Sequence, residues 1–483
     1  MLKDNNYPFY KKFALVLGPS LFFTFLFLAP VEESGLYHVY GISTWMIIWW
    51  MAEVVPIFIT AMLPMVLFPS LGLFSVKDTF VPYANPIIFL FMGGFIIALA
   101  MEERKLHIRM ALFIIKLTGT KPLGILIGMM LSTAFLSMWI SNTATTVLML
   151  PIALSVLNLL KHQDRSNQKE FEIFALALLL AIAYGANIGG TMTIIGTPPN
   201  VVFAGLFQEY HHIEIGFGQW MLVGVPTGIL LLSITYLLLT KVLLKIQLTE
   251  IDGSAALFER KRLELGKMEK GERMVLIVFL LTAFLWIFKS QINVLLGSSI
   301  LHNTTIAMFG GLLMFLLPVN LNKGEFVLNW KATTRLPWGI LILFGGGLSL
   351  AAAFGQVGLV SNIGNWFATN VYASVFILGF ALIAVSIFAT EVMSNVALVT
   401  VMLPVVIAIS EGMGISPYEI TIPVTLAASC AFMMPISTPP NAVVYSSGLI
   451  KMHQMAKIGL VLNLISVVVL AVLVPWLIGL FFR

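Results

Sequence analysis

The chain has 483 residues, of which 59% are apolar and 10% are charged. Because soluble globular domains carry about 25% charged residues, this composition excludes a soluble protein and predicts an all-α polytopic membrane protein whose surroundings are the lipid bilayer. The 27 Lys and Arg against 22 Asp and Glu give a net charge of +5, and these charges lie mostly between apolar runs, where they indicate membrane orientation rather than a nucleic-acid partner.

The first apolar run, at 13–30, is predicted to be a retained membrane span. It lacks a small-residue cleavage site and is too long for the core of a signal peptide. Lysines precede it, and Glu32 and Glu33 follow it. The Lys/Arg bias therefore predicts a cytosolic N-terminus.

Further apolar runs predict eleven spans in all. The run at 43–72 is divided at Pro56, because proline interrupts a helix. Two amphipathic stretches, 106–119 and 356–370, are predicted to lie along the membrane interface, and the charged segment 246–273 is predicted to be a cytosolic linker. The spans are 13–30, two within 43–72, 85–102, 172–206, 219–245, 274–289, 304–318, 338–355, 420–448 and 457–482.

Two more apolar runs, 121–160 and 371–410, are predicted to be re-entrant hairpins. The first has a polar, uncharged centre at 141–146 and basic residues on both flanks. It is either two full spans or a hairpin that turns inside the membrane, and the absence of a charged or Pro/Gly-rich outer turn favours the hairpin. The C-terminus is then predicted to lie outside.

The sequence contains an internal repeat in three blocks. The segment 141–151 recurs at 394–404 with six identities in eleven, and Phe91-Met92-Gly93-Gly94 recurs at the same offset of 253. Ile195-Gly196-Thr197-Pro198-Pro199-Asn200 recurs at 436–441 with five identities in six. Five predicted spans separate equivalent points, so the halves enter the membrane from opposite sides. Inverted repeats with broken helices indicate a secondary transporter with a site at the bilayer midplane.

The repeated blocks predict an anion site. Non-helical backbone in hydrocarbon is tolerated only where it lines a cavity or is buried in protein. Ser, Asn and Thr are preferred N-caps and proline suits the first helical turn, so each block can end one half-helix and begin another. Four helix N-termini with unpaired N–H groups can then meet near the membrane centre and bind an anion without a cationic side chain.

The charges around the blocks agree with this hypothesis. The segments around them contain no Lys or Arg, and the acids inside apolar runs are Glu53 and Glu391. Glu391 is either functional, as intramembrane acids often are, or a hydrogen-bond partner of the hairpin backbone. A bound Na⁺ could balance the anion's charge. The single cysteine, Cys430, excludes an intrachain disulfide, and no Cys/His spacing suits a zinc site.

The paired Ser-Asn-Thr-type blocks, each followed by a Thr-Pro block, and Trp49-Trp50-Met51-Ala52-Glu53 ahead of Pro56 resemble the divalent anion/sodium symporter family, the dicarboxylate and citrate transporters. The resemblance covers nearly the whole chain. It implies eleven transmembrane helices plus two re-entrant hairpins, a homodimer formed by a scaffold domain, and elevator-type movement of a transport domain. It also implies di- or tricarboxylate substrates and no resident cofactor.

The resemblance further implies site residues. The residues implied to surround the substrate carboxylates are Ser141, Asn142, Thr143, Thr197, Pro198, Ser394, Asn395, Val396, Thr438 and Pro439. The residues implied to surround one sodium ion are Ser137, Ser141, Asn142 and Gly196. Those implied to surround a second are Thr390, Met393, Asn395 and Ser437.

The second half departs from the family pattern at two positions. Val396 lacks the hydroxyl that Thr143 carries in the first half, and Met393 is bulky where the family usually has a small residue. These departures favour dicarboxylate exchange over the alternative, sodium-coupled dicarboxylate symport. A carrier for inorganic anions or a channel is the alternative of a different class. A membrane-embedded enzyme is disfavoured because neither Glu391 nor Glu53 has an acidic or histidine neighbour in the sequence.

The resemblance, placed on the repeat, implies five regions, and the lack of long extramembrane tails predicts a multi-pass protein of the plasma (inner) membrane. The five regions are a first scaffold part (1–120), a first transport-domain half (121–245), the linker (246–273), a second scaffold part (274–370) and a second transport-domain half (371–483). Each scaffold part includes an interfacial helix, and each transport half includes a hairpin, a broken span and a further span.

Overall fold

The computed structural model describes residues 8–163, 168–371 and 374–482. Within these residues the fold is helical apart from one short pair of strands, which confirms the all-α class. The first half contains α1 (Phe9–Leu28), α2 (Ser34–Ala52), α3 (Ile57–Thr60), α4 (Leu63–Ser70), α5 (Val76–Phe80), α6 (Pro86–Glu103), α7 (Leu106–Thr118), α8 (Pro122–Ser137), α9 (Asn142–Gln163), α10 (Gln168–Thr191), α11 (Pro198–His211) and α12 (Phe217–Leu237).

The second half has a matching series of helices. It contains α13 (Ser254–Leu265), α14 (Lys270–Leu296), α15 (Asn303–Leu316), the antiparallel strands β1 (Pro318–Asn320) and β2 (Glu325–Phe326), α16 (Trp338–Gln356), α17 (Leu359–Asn370), α18 (Val375–Ala389), α19 (Asn395–Gly412), α20 (Pro417–Ala427), α21 (Pro439–Tyr445) and α22 (Met452–Phe481). Single 3-10 turns lie at Val31–Glu33, Val81–Ala84, Leu321–Lys323 and Trp330–Arg335, and a π-helical turn at Leu238–Val242 extends α12.

Eight helices in the described residues are long and apolar enough to cross a membrane. A ninth is added if the two parts of α14, Lys270–Ile287 and Lys289–Leu296, form one span bent by 71°. The predicted spans at 57–72 and 304–318 correspond to shorter apolar helices. The chain is therefore a multi-pass membrane protein, and the count of eleven spans remains a prediction.

Both predicted hairpins are helix–break–helix units. The first breaks between α8 and α9, where the polar centre begins, and the second breaks between α18 and α19. Helix α8 has 16 residues and rises about 24 Å, which is short of the roughly 30 Å hydrocarbon core. Its length favours the hairpin over the alternative of two full spans.

The predicted broken spans are also present. Helices α10 and α11 are separated at 192–197, and α20 and α21 at 428–438. In each case the Thr-Pro pair begins the second helix, with Thr197 or Thr438 as the N-cap in an extended conformation. Proline has the φ angle of a first helical turn and needs no N–H partner there, which explains why the helix restarts at this point.

The amphipathic stretches at 106–119 and 356–370 form α7 and α17. Helix α7 packs on α8, and α17 packs on α19. The two predicted transport halves also pack together, with α9 and α10 against α21 and α12 against α22. The repeated elements therefore form one group with a shared core.

Two features of the fold were missed from the sequence. The linker at 246–273 contains α13, which is held by the buried Leu257 and Phe258 and by a 3.0 Å hydrogen bond from Ser254 Oγ to Thr120 O. The strands β1 and β2 are joined to the end of α6 by Arg104, which donates to Glu325 and to the Val327 carbonyl, each at 3.0 Å. Both segments have short apolar faces among many charged residues, so the sequence shows no clear helix or strand periodicity there.

Helices α8 and α10 approach each other closely at Gly189. A Cβ added there would collide with the Ala134 carbonyl oxygen and lie 2.5 Å from Ala134 Cα. Gly185 makes a similar approach to Met130, so this pair of glycines serves helix packing.

We expect Gly189→Ala to lower thermal stability, because backbone atoms must move to accommodate the methyl group; such overpacking costs about 1–3 kcal/mol or more. Gly379→Ala is the matched control, since nothing lies within 4 Å of a Cβ added there. The measurement is thermal unfolding of both purified variants. Equal melting temperatures would contradict the close packing of α8 on α10.

Candidate functional site

One cavity of about 1010 Å³ lies where the two hairpin tips and the two broken helices meet. It brings together residues from both Ser-Asn blocks and both Thr-Pro blocks. All ten predicted substrate residues line it: Ser141, Asn142, Thr143, Thr197, Pro198, Ser394, Asn395, Val396, Thr438 and Pro439. Helices α9, α11, α19 and α21 each begin at one of these residues, so four helix N-termini meet at a single space.

The first hairpin tip is held by a buried hydroxyl. Ser137 Oγ donates to Asn142 Oδ1 and also lies 2.8 Å from the Ala186 carbonyl. The amide of Asn142 packs against Gly190, where an added Cβ would lie 2.5 Å from Oδ1. Ser141 Oγ accepts from Ala144 N at 3.2 Å and so caps α9. The tip is thereby fixed to the broken helix behind it.

The second hairpin tip repeats this arrangement at the offset of 253. Thr390 Oγ1 lies 2.7 Å from both Asn395 Oδ1 and the Ala428 carbonyl. Ser137 and Thr390 are both fully buried behind the cavity wall, whereas Gly196, Met393 and Ser437 line it. Each predicted sodium site therefore combines hydroxyl and amide oxygens in one place. Hydroxyl and amide oxygens are ligands that suit a hard cation.

The asparagines that end the Thr-Pro blocks hold the break loops. Asn200 Nδ2 donates to the carbonyl of Thr193 at 2.8 Å, and Asn441 Nδ2 donates to the carbonyls of Ala431 and Met434 at 3.0 and 3.1 Å. Both side chains are fully buried. Both residues lie within the repeated blocks, and this repetition is the sequence signal that indicates their role.

Asn187 is a cavity residue that sequence reasoning missed. It lies on α10 and lines the cavity, and its Nδ2 donates to the Ala431 carbonyl at 3.2 Å and to Thr438 Oγ1 at 3.1 Å. Tyr184, one turn earlier, donates to the Phe432 carbonyl at 2.8 Å. Two side chains of the first half therefore form hydrogen bonds directly with the break loop of the second half. Neither residue belongs to a repeated block, so the repeat could not reveal their roles.

The cavity reaches an exposed rim that carries its charged residues. Lys11 Nζ donates to the Glu53 carbonyl at 2.7 Å. Arg335 pairs with Glu103 at 3.1 Å and with Glu102 at 3.4 Å. Glu53 has a left-handed backbone conformation and ends α2, in agreement with its predicted place at a break. Both rim cations are engaged by the protein itself, so an anion at the hairpin tips would meet hydroxyls, amides and helix N-termini.

Glu391 lies outside the residues that line the cavity. Its side chain is buried and accepts hydrogen bonds from the backbone N–H groups of residues 432–434. Of the two hypotheses for this acid, backbone hydrogen bonding agrees with the structure. The backbone concerned is the break loop between α20 and α21 rather than that of the hairpin.

The sequence matches the family described as the sodium:sulfate symporter transmembrane region over residues 11–482. It is 39% identical over 484 residues to a protein from Staphylococcus saprophyticus named sodium-dependent dicarboxylate transporter SdcS, covering 99% of this chain and 93% of that protein. The Staphylococcus aureus (strain USA300) protein of the same name is 39% identical over 467 residues, covering 95% and 90%.

Two solved structures share the fold. The YdaH transporter of Alcanivorax borkumensis matches with a TM-score of 0.58 at 13% identity, covering 85% of this chain and 88% of that one. MtrF of Neisseria gonorrhoeae matches with a TM-score of 0.56 at 16% identity, covering 86% and 85%. At these identities the likeness concerns the fold alone.

The cavity predicts different labelling rates for cysteines introduced at two nearby positions on α9. Thr143 is exposed in the cavity, whereas Thr145 is 1% exposed. In a Cys430→Ser background, we expect Thr143→Cys to react with a hydrophilic maleimide at least about tenfold faster than Thr145→Cys, because a buried thiol is shielded from reagent and ionises poorly. Labelling of the purified protein measures the two rates. Equal rates would contradict the exposure of Thr143 in the cavity at the hairpin tip.

Proposed function

The chain belongs to the sodium:sulfate symporter family of membrane transport proteins, and on that premise we propose that it is a secondary active transporter that carries dicarboxylates together with sodium. It is a transporter and not an enzyme. The observation that carries the proposal is the convergence of two hairpin tips and two Thr-Pro helix starts on one cavity.

The paired construction of the cavity suits a substrate with two carboxylates. Each half supplies two helix N-termini, whose N–H groups and partial positive charge favour an anion. Two such half-sites facing one space can each hold one end of a dianion. The relatives named as dicarboxylate transporters support this class over an inorganic anion. Succinate, malate, fumarate and 2-oxoglutarate are the substrates we propose to test.

Sodium coupling replaces exchange as the preferred mechanism. The names of the relatives support sodium dependence. Met393 and Val396 favoured exchange in the sequence because they weakened the second sodium site. In the structure, however, the Thr390–Asn395 oxygen pair is present beside Met393 and matches the Ser137–Asn142 pair. The side-by-side placement of these two oxygens supports a second sodium ion in spite of the bulky thioether.

We propose that the structure is the inward-open state of an elevator. The rim residues Lys11, Glu102 and Arg335 lie in segments predicted to be cytosolic by the Lys/Arg bias. Towards the predicted outer side, α11 and α16 are in contact, with a 2.8 Å hydrogen bond from Tyr210 Oη to the Ala351 carbonyl. This contact would close the outer side. Regions 121–245 and 371–483 would move as the transport domain against the scaffold regions 1–120 and 274–370.

The remaining parts of the proposal are a homodimer, a plasma (inner) membrane location, a cytosolic N-terminus and an external C-terminus. The dimer would join scaffold surfaces, so that each protomer's transport domain moves independently. Crosslinking in membranes tests the oligomer, and tag accessibility in right-side-out vesicles tests the orientation. A monomer, or an N-terminal tag accessible from outside, would contradict these parts.

We expect proteoliposomes containing the protein to accumulate labelled succinate when an inward sodium gradient is imposed. Asn142→Ala and Asn395→Ala should each abolish uptake, since each removes a cavity amide that its half-site requires. The exposed Asn365→Ala is the matched control. Uptake that is equally rapid without sodium in preloaded vesicles would restore exchange, and uptake of sulfate alone would overturn the substrate class.

Thr390→Val tests the proposed second sodium site directly. The substitution keeps the shape of the side chain but removes the hydroxyl oxygen beside Asn395. We expect the sodium concentration for half-maximal uptake to rise roughly tenfold, since loss of one buried polar contact costs about 1–3 kcal/mol. The exposed Thr369→Val is the control. An unchanged sodium dependence would remove Thr390 from the ion site.

A further inference from the structure

The buried carboxylate of Glu391 has four hydrogen-bond donors around it. Its Oε1 accepts from Phe432 N at 2.7 Å, Met433 N at 2.9 Å and Asn463 Nδ2 at 2.7 Å, and its Oε2 accepts from Met434 N at 3.0 Å. Glu391 is 4% exposed and Asn463 is fully buried. These groups are called the Glu391 network below.

The network joins three separate elements. Glu391 lies between α18 and α19, just before the second hairpin tip; the three N–H groups belong to the break loop 428–438, and Asn463 lies on α22. In the hydrogen bonds of the described residues, these three N–H groups have no backbone carbonyl as acceptor. Non-helical N–H groups at membrane depth need acceptors, and here one carboxylate supplies all of them.

The first half makes the corresponding connection between hairpin and break loop without a charge. At the offset of 253 the residue equivalent to Glu391 is Met138, whose backbone carbonyl accepts from Thr193 Oγ1 at 2.5 Å. Both halves therefore connect the residue before the hairpin tip to the neighbouring break loop. Only the second half uses charge-assisted hydrogen bonds, which are roughly twice as strong as neutral ones.

We propose that Glu391 is a positioning residue for the second half of the substrate site. It acts through the break loop, whose Ser437 and Thr438 line the same cavity as Ser394 and Asn395 of the hairpin tip. By holding loop and tip at a fixed separation, the carboxylate keeps the second half-site assembled without contacting the ligand. For the effect on transport, the inference rests on the proposed function.

The protein contains a natural reporter for this loop. Cys430 is the single cysteine of the sequence, lies within 428–438 and is 1% exposed. Any loosening of the loop should expose its thiol. Labelling of Cys430 needs no substrate, so it tests the positioning role even if dicarboxylates are not the ligand.

The experiment compares wild type with Glu391→Gln and with Glu269→Gln, which alters an exposed carboxylate. In Glu391→Gln an amide N–H replaces one acceptor, so at least one loop N–H loses its partner. We expect maleimide labelling of Cys430 to become roughly tenfold faster, and the KM for sodium-driven succinate uptake to rise by a similar factor with a smaller change in maximal rate. Saturating succinate with sodium should slow the labelling again.

Asn463→Ala provides a second variant that removes one of the four donors and leaves the carboxylate in place. It should accelerate Cys430 labelling by a smaller factor, and it decides the question alone if Glu391→Gln does not fold. Labelling rates equal to those of Glu269→Gln in every variant that folds would overturn the proposal. So would a lowered maximal rate with unchanged KM. Faster labelling in a protein that does not transport dicarboxylates would uphold the positioning role and overturn the proposed function.

Discussion

The structure depends on satisfying non-helical backbone in the interior of a membrane protein. Four interrupted helices leave unpaired N–H and C=O groups where no bulk water is available. Buried side chains supply the partners, namely Thr390 at the second hairpin, Asn200 and Asn441 at the break loops, and Glu391 in the second half. Ser137 connects the first hairpin to helix α10. These groups bind the interrupted backbone on the side away from the cavity. The helix N-termini can therefore face the cavity.

The inverted repeat explains most of this construction, and its departures from symmetry are informative. The hydroxyl–amide pairs recur at an offset of 253, and the loop-holding asparagines recur at 241. The amide of Asn187 and the carboxylate of Glu391 are not repeated in the other half. Asn187 carries hydrogen bonds from the first half to the second, and Glu391 gives the second break loop a charged acceptor. The two half-sites are thus similar in their ligand groups and different in how firmly they are held.

Much of the fold and the cavity could be predicted from the sequence, because composition reports membrane burial and because a repeated polar block within an apolar run is a local signal. Residues such as Asn142 and Thr438 were found in this way. Asn187, Asn463 and the helix α13 were not, because their roles arise from contacts between distant segments. Met393 favoured exchange in the sequence, whereas the names of the relatives favour sodium coupling. Residue type alone does not reveal that Thr390 and Asn395 lie together beside it.

We propose that the two halves form one dicarboxylate site whose occupancy requires sodium. Calorimetric titration of succinate into the purified protein, in sodium and in choline buffer, measures this requirement. We expect one succinate bound per chain in sodium and no measurable binding in choline. Equal binding in both buffers, or binding of sulfate with none of succinate, would contradict it.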